Sequence, residues 1–428
     1  MTPDGDEREN SMKILWIVNM LLPDAAAYLA VKTGTSGTWM INLSKELAES
    51  DEIELAIACV YGNEFRDFTV NNIRYFCVPG NGKTMLFYDK ALVKYWDIIE
   101  KCYCPDIVHF HGTEYTHGIS YLRKYKNKKK VLTIQGIIEK TSANHWGGLP
   151  LSVLLKYKTL KEWLHLNGMI ERKILARKNV KYETEIIKNM QYMTGRTDWD
   201  KYYMQAVNPS AQYFRCYYDL REEFYHAPKW DVNNINRNVI YASTSAQVPM
   251  KGGHVVIEAL RLVRDIIPDV KVIFLASKQK NGKLIPTSGY TKYIASLIKK
   301  YQLENNVEFI SGQSGDGIID LMTHSHITLV PSAIENASAT LREAMHLGAP
   351  CIAAFRGGMV RLIDDEQSGF LYDYTEYEYL AGRIVELLSD DELASKFSRN
   401  AIEKASEWHD KEKNKNDYIM MYKKIYNK

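Results

Sequence analysis

Residues 327–354 read ITLVPSAIENASATLREAMHLGAPCIAA, and this stretch decides the fold. ITLV at 327–330 is a short apolar run of the kind buried on both faces of a parallel sheet. Pro331 ends it, and a loop of small and polar residues follows. ATLREAMHL at 339–347 has helical spacing, with the helix N-terminus expected near Ala337–Ser338 and Gly348 as its stop signal. CIAA at 351–354 is a second buried-type run. Strand, helix and strand in this order form a βαβ unit, because a parallel pair needs a crossover.

The same alternation extends in both directions. Upstream in the second half, strands are expected at 239–243, 272–276, 307–310 and 327–330, with helices at 253–267 and 290–301. In the first half, strands are expected at 13–18, 53–59, 73–78, 107–110 and 131–134, with helices at 38–49 and 90–101 between them. Residues 225–238, YHAPKWDVNNINRN, are polar, hold Pro228 and four Asn, and read as an inter-domain linker. A chain of 428 residues is too long for one ordinary core. The expected fold class is therefore α/β, with two Rossmann-like domains whose parallel sheets face across a cleft. The boundaries are 12–225 and 239–410, with a C-terminal helix at 411–428 returning to the first domain. Open α/β sheets bind ligands past the carboxyl ends of their strands.

Composition sets the outer bounds. Hydrophobic residues make up 46% and charged residues 25%, so disorder is expected only in the leader MTPDGDEREN. A net charge of +3 gives no argument for a nucleic-acid partner. The cations are uneven, however: 121–130 reads YLRKYKNKKK, and 151–178 sets Lys156, Lys158, Lys161, Arg172, Lys173, Arg177 and Lys178 among Leu, Tyr and Trp. Each stretch is either a solvated helix face or a contact with an anionic membrane or acceptor. The six cysteines are scattered, and Cys102 and Cys104 are too close for a comfortable disulfide. With an acidic leader and no apolar run near the ~20 residues needed to span a bilayer, the expected setting is cytoplasmic, peripheral at the inner face of the membrane.

The loop after 327–330 carries the chemistry. Backbone N–H groups and the positive end of the helix dipole would meet an anion there, and a diphosphate suits them. Glu335 lies in the loop and Glu343 in the helix, a separation on the order of 10–12 Å along the rise. Two carboxylates so placed either grip hydroxyls at two ends of a ligand, or cap the helix and lie on a solvated face.

Glu335, seven residues, then Glu343, followed by Ala344-Met345 and Gly348-Ala349-Pro350, resembles the E-x7-E signature of family-4 retaining glycosyltransferases of GT-B fold. Arg356-Gly357-Gly358 and residues 367–371, QSGFL, resemble that family's downstream loops. The resemblance implies that Glu335 contacts the transferred sugar, Glu343 the ribose, and the amides of Asn336, Ala337 and Ser338 the phosphates. Lys251, in PMKGG at 249–253, matches the family's phosphate-binding Lys-Gly. The chain departs from the family where an Arg usually precedes that Lys by about five positions; here Ser245-Ala246 stand on the donor side. Arg196, in GRTDWD, either supplies the missing charge or serves as a surface or acceptor-binding residue. The loop Lys32–Trp39 matches the family's Gly-rich loop, with Gly37 as its donor-side glycine, although it is neither a dinucleotide fingerprint nor a Walker loop. His111, at the end of the 107–110 strand, matches a family position near the donor sugar. Glu114 and Gln135 are weaker candidates, and His109 reads as a core residue.

No metal is expected. His109 and His111 share a face but lack further ligands, and Asp198-Trp199-Asp200 reads as a helix cap at Thr197 or Asp198 rather than a metal-binding D-x-D. No cofactor is expected. The function implied is hexosyl transfer with retention from a UDP- or GDP-sugar to a glycan or lipid-linked acceptor, in surface polysaccharide or glycolipid assembly. A catalytically silent nucleotide-sugar-binding subunit is the alternative. A nicotinamide dehydrogenase lacks its glycine fingerprint, and a phosphorylase lacks a pyridoxal lysine site.

Overall fold

The computed structural model describes residues 11–32, 39–244 and 247–428. Contacts divide the chain into two units: residues 1–138, 179–221 and 408–428 form the first, and 139–178 with 222–407 the second.

The first unit is built on eight strands: β1 (Met12–Val18), β2 (Ile53–Val60), β3 (Arg66–Val70), β4 (Ile73–Val78), β5 (Ile107–His111), β6 (Lys129–Thr133), β7 (Tyr192–Gly195) and β8 (Gln212–Arg215). They run in the order β3-β4-β2-β1-β5-β6-β7-β8. All pairs are parallel except β3 with β4. Successive side chains point to opposite faces of a strand. Ile14, Trp16, Leu55 and Ile57 therefore enter one core layer, and Leu15, Ile17, Ala56 and Ala58 the other. Burial on both faces explains why these strands read as continuous apolar runs. The C-terminal helix Lys411–Tyr426 supplies Tyr418, Ile419, Met421, Tyr422 and Ile425 to the first layer. Trp16 Nε1 donates to Tyr422 Oη at 2.9 Å, and Tyr422 Oη lies 2.6 Å from His109 Nδ1. His109 Nε2 lies 2.6 Å from Thr133 Oγ1.

The second unit has a parallel sheet of β9 (Asn236–Ala242), β10 (Lys271–Leu275), β13 (Val307–Ile310), β14 (Ser325–Val330), β15 (Cys351–Ala354) and β16 (Phe370–Tyr372). Its order is β13-β10-β9-β14-β15-β16, and a small hairpin joins β11 (Gln279–Lys280) to β12 (Lys283–Leu284). The opening stretch of sequence folds as β14, the helix Ala339–Leu347 and β15.

Two domain boundaries differ from the sequence reading. Residues 139–178, expected in the first domain, belong to the second unit. Specific bonds hold them there: Glu162 accepts from Gly289 N–H at 3.0 Å, Ser296 Oγ donates to Tyr157 Oη at 2.8 Å, and His254 Nε2 lies 2.9 Å from Gly147 O. The expected linker 225–238 is also part of the second unit. Trp230 is buried there, its backbone N–H donating to Leu347 O and its indole to Ser325 O, both at 2.8 Å. All six cysteines are free, with Cys102 and Cys104 exposed and the others buried. Among the described residues, no helix is long and apolar enough to cross a membrane.

Candidate functional site

The loop that leaves β14 meets the turn Pro249–Lys251 of the second unit. Ala333 N–H donates to Met250 O at 2.8 Å. Gly252 makes the approach feasible: its φ is +77°, and a Cβ there would sit 1.8 Å from Pro331 O. On the other flank, Gly358 N–H donates to Glu335 O at 2.9 Å, and a Cβ at Gly357 would lie 2.0 Å from that same carbonyl oxygen. Backbone contacts on both sides thus fix the position of Glu335.

With its backbone fixed, the Glu335 side chain forms an ion pair with Lys251. Ser332 Oγ donates to the same carboxylate oxygen at 3.0 Å. The pair is neither buried nor bare: the side chains are 37% exposed for Lys251 and 21% for Glu335. Just beyond, Ser338 is the N-cap of the helix Ala339–Leu347, accepting from Leu341 N–H at 3.4 Å. Asn336, Ser338 and Glu343 are buried, and Ala337 is half-buried. The structure therefore brings Lys251 and Glu335 together at the loop that holds Asn336, Ala337 and Ser338, with Glu343 buried in the helix that follows. A lysine, a helix N-terminus and a carboxylate make a site for an anion that carries hydroxyl groups. Ser332 and the Gly147 loop were missed by the sequence reading. Tyr374 Oη donates to Gly147 O at 3.1 Å, which anchors that loop beside Pro249. The adjacent glycines 147 and 148 were its signal.

A second constellation lies past the carboxyl ends of β5, β6 and β7 in the first unit. His111 is buried, its ring 4.0 Å from that of His109 and 4.3 Å from that of Trp16. Burial, with the neighbouring His109, holds it well below the ordinary imidazole range. Glu114 Oε1 accepts from Gly136 N–H at 2.8 Å, and burial raises its carboxyl pKa. Gln135 donates to Tyr218 Oη at 2.5 Å and accepts from Arg196 Nη1 at 3.3 Å. Arg196 Nη2 donates to Ile134 O at 3.1 Å, and its guanidinium lies 4.3 Å over the Tyr218 ring. Arg196 is thus held by the first unit's own residues; Glu114, Gln135 and Arg196 are joined through residues 134–136, and His111 and Glu114 line a common cavity. Thr197 caps the helix Asp198–Val207, and Asp200 turns back to accept from the backbone N–H groups of Arg196 and Thr197. Asp200 is thereby occupied as a structural acceptor.

Gly37 and Ser245 lie outside the described residues. Among the described residues, no three His, Cys, Asp or Glu side chains are grouped so as to hold a metal ion.

Residues 229–404 match the family described as glycosyl transferases group 1. N-acetyl-α-D-glucosaminyl L-malate synthase of Bacillus anthracis is 30% identical over 129 residues, which is 30% of this chain and 33% of that protein. Spore coat protein SA of Bacillus subtilis is 29% identical over 164 residues, 37% of this chain and 42% of that one. The chain thus spans between a third and a half of the length of these relatives. Sucrose-phosphate synthase from Thermosynechococcus elongatus superposes with a TM-score of 0.73 at 14% identity, covering 97% of this chain and 99% of that one. Anabaena HepE, in a complex with UDP and glucose, superposes with a TM-score of 0.67 at 16% identity, over 96% and 100% of the two chains. The chain has the GT-B fold, and the segment of the second unit that runs from residue 229 to 404, with Lys251 and Glu335 in it, is similar to the group 1 glycosyl transferases.

Proposed function

We propose that the protein transfers a hexose-type sugar from a UDP- or GDP-sugar to a glycan or lipid-linked acceptor, with retention of configuration, in polysaccharide or glycolipid biosynthesis. The observation that carries this reading is the Lys251–Glu335 pair at the mouth of a helix N-terminus, inside the segment that matches the family. The UDP and glucose named for HepE, a protein of the same fold, agree with it.

In this reading the donor's diphosphate replaces Glu335 as the partner of Lys251. The ammonium group and the helix N-terminus then stabilise the charge that grows on the leaving diphosphate. Glu335, released, accepts hydrogen bonds from the sugar hydroxyls, and Glu343 accepts from the ribose. The sugar C1–O bond to phosphate breaks, and a bond from C1 to the acceptor oxygen forms on the same face. The acceptor's proton passes to the departing phosphate, so no side chain is needed as nucleophile. His111, neutral in its buried setting against the Trp16 and His109 rings, shapes the wall of the first unit's site, and Arg196 serves that same site.

The test is release of nucleoside diphosphate and sugar transfer from a panel of nucleotide-sugars chosen by thermal shift. Lys251→Ala and Glu335→Ala should abolish transfer while the melting temperature of the free protein holds. Undiminished transfer by both variants overturns the reading. Donor binding without turnover by the unaltered protein would favour a catalytically silent subunit.

A further inference from the structure

Two stretches of this chain are rich in cations, and the structure treats them oppositely. In 121–130 five of the six charges are engaged internally, and Lys126 is exposed. Arg123 pairs with Glu185 at 2.7 Å, Lys124 with Asp97 at 2.6 Å and Lys128 with Glu100 at 2.8 Å. Lys129 donates to Tyr426 O at 2.5 Å, and the buried Lys130 donates to three backbone carbonyls.

In 151–178 the sequence has seven cations and two carboxylates. Both carboxylates are engaged, Glu162 with Gly289 N–H and Glu171 with Lys158. Lys156, Lys161, Arg172, Arg177 and Lys178 are exposed. Among them stand exposed apolar side chains: Leu160 at 75%, Leu164 at 73%, Leu166 at 67% and Trp163 at 49% exposure, the last with the Lys158 ammonium 3.9 Å over its ring. Local folding explains the arrangement. The capping box of Thr159 and Glu162 sets the short helix Leu160–His165, and Glu162 points inward to Gly289. With that face docked, Leu160, Trp163 and Leu164 are left on the outside. A cluster of this size marks an interaction surface rather than ordinary surface scatter.

We infer that residues 151–178 form a docking surface for an anionic lipid bilayer, with Leu160, Trp163, Leu164 and Leu166 entering the headgroup boundary and the surrounding Lys and Arg meeting lipid phosphates. Exposed aromatic and aliphatic side chains within a basic stretch are the composition of interfacial membrane segments. Cations near an anionic leaflet add attraction that is felt within a Debye length. A protein partner fits less well, since protein interfaces are depleted in lysine. A two-fold contact with a second copy would oppose the same basic patch to itself.

The experiment is co-sedimentation of the full chain with vesicles of phosphatidylcholine alone or with phosphatidylglycerol added. The chain should bind the phosphatidylglycerol vesicles, with weaker binding in high salt. The triple variant Leu160→Ser, Trp163→Ser, Leu164→Ser should lose at least about tenfold in partitioning. Lys161→Glu, Arg172→Glu, Arg177→Glu should lose the preference for the anionic lipid. Lys124→Gln with Lys126→Gln, in the other basic stretch, should bind as the unaltered chain does. All three sites are at the surface, so circular dichroism should show each variant folded. Equal binding by the triple variant overturns the inference, as does a dimer in solution that the triple variant dissolves without any vesicle binding by the unaltered chain.

Discussion

The loop after β14 and the loop after β5 occupy corresponding places, each past the carboxyl end of an inner strand of a parallel sheet. They are furnished differently. After β14 two opposite charges meet each other, partly open to water, on a backbone locked by glycine contacts. After β5 the ionisable groups are sunk among rings, amides and carbonyls, where His111 is stacked and Arg196 is spoken for. An ion pair that is partly exposed contributes little to stability, so an incoming anion can exchange for one of its members cheaply. A buried group held by its neighbours is expensive to disturb. The first site is therefore built to change partners, and the second to keep its shape.

The sharpest way to break that contrast is to remove one charge from each site. Lys251→Met should lower donor turnover by about 10²–10³, the usual cost of losing one charge-stabilising group. Its melting temperature should stay near that of the unaltered chain, and diphosphate-release kinetics beside differential scanning fluorimetry reads both. His111→Ala should do the reverse in the first instance, costing about 2 kcal/mol of stability in a urea titration through the void left between Trp16 and His109. A stable His111→Ala protein with lost turnover would contradict the assignment of that site as rigid wall.

Gly252→Ala tests how the first site is held. The added methyl would overlap Pro331 O in a backbone conformation with φ +77°. A loss of roughly 1–3 kcal/mol is expected, together with weaker donor binding in a calorimetric titration. Unchanged binding would mean that the Glu335 loop needs no such brace.

Acid is the gentlest probe. Burial lowers the pKa of His109 to about 3 and those of His117, His254 and His326 to about 4, from the ordinary 6.5. The unfolded chain therefore binds more protons than the folded one below pH 6.5, and stability falls as the pH drops toward 4. The melting temperature should be flat above pH 7 and fall steadily below 6.5. His254→Gln should shallow that limb, because its ring is held between Tyr290 Oη and Gly147 O. A flat acid limb in the unaltered chain would remove the claim that these imidazoles are folded neutral.

Much of this was legible in the sequence. The strands buried on both faces announced themselves as apolar runs, and residues 327–354 gave the correct βαβ unit. Lys251 and Glu335 were assigned to one donor site by the family resemblance, but their ion pair, across 84 positions, left no local pattern to read. Strands β7 and β8 were missed because they are four residues long, and β8 is only half-buried along its length, so neither shows a clear apolar period. The placement of 139–178 was missed for another reason. Its allegiance rests on single bonds such as Glu162 to Gly289, between residues 127 apart, which leave no local pattern. The internal pairing of 121–130 was illegible for the same cause, since its carboxylates come from other elements.

The bond from Trp16 to Tyr422 spans 406 positions. A ribosome emits the chain in order, and domains generally fold as they emerge. Here the second unit is finished by residue 407, while the first still waits for the helix Lys411–Tyr426 to fill one of its two core layers. Of the two units, the one that begins first is thus completed last, and for that interval Trp16 and its neighbours lack their lid, a window in which a chaperone would find its apolar target.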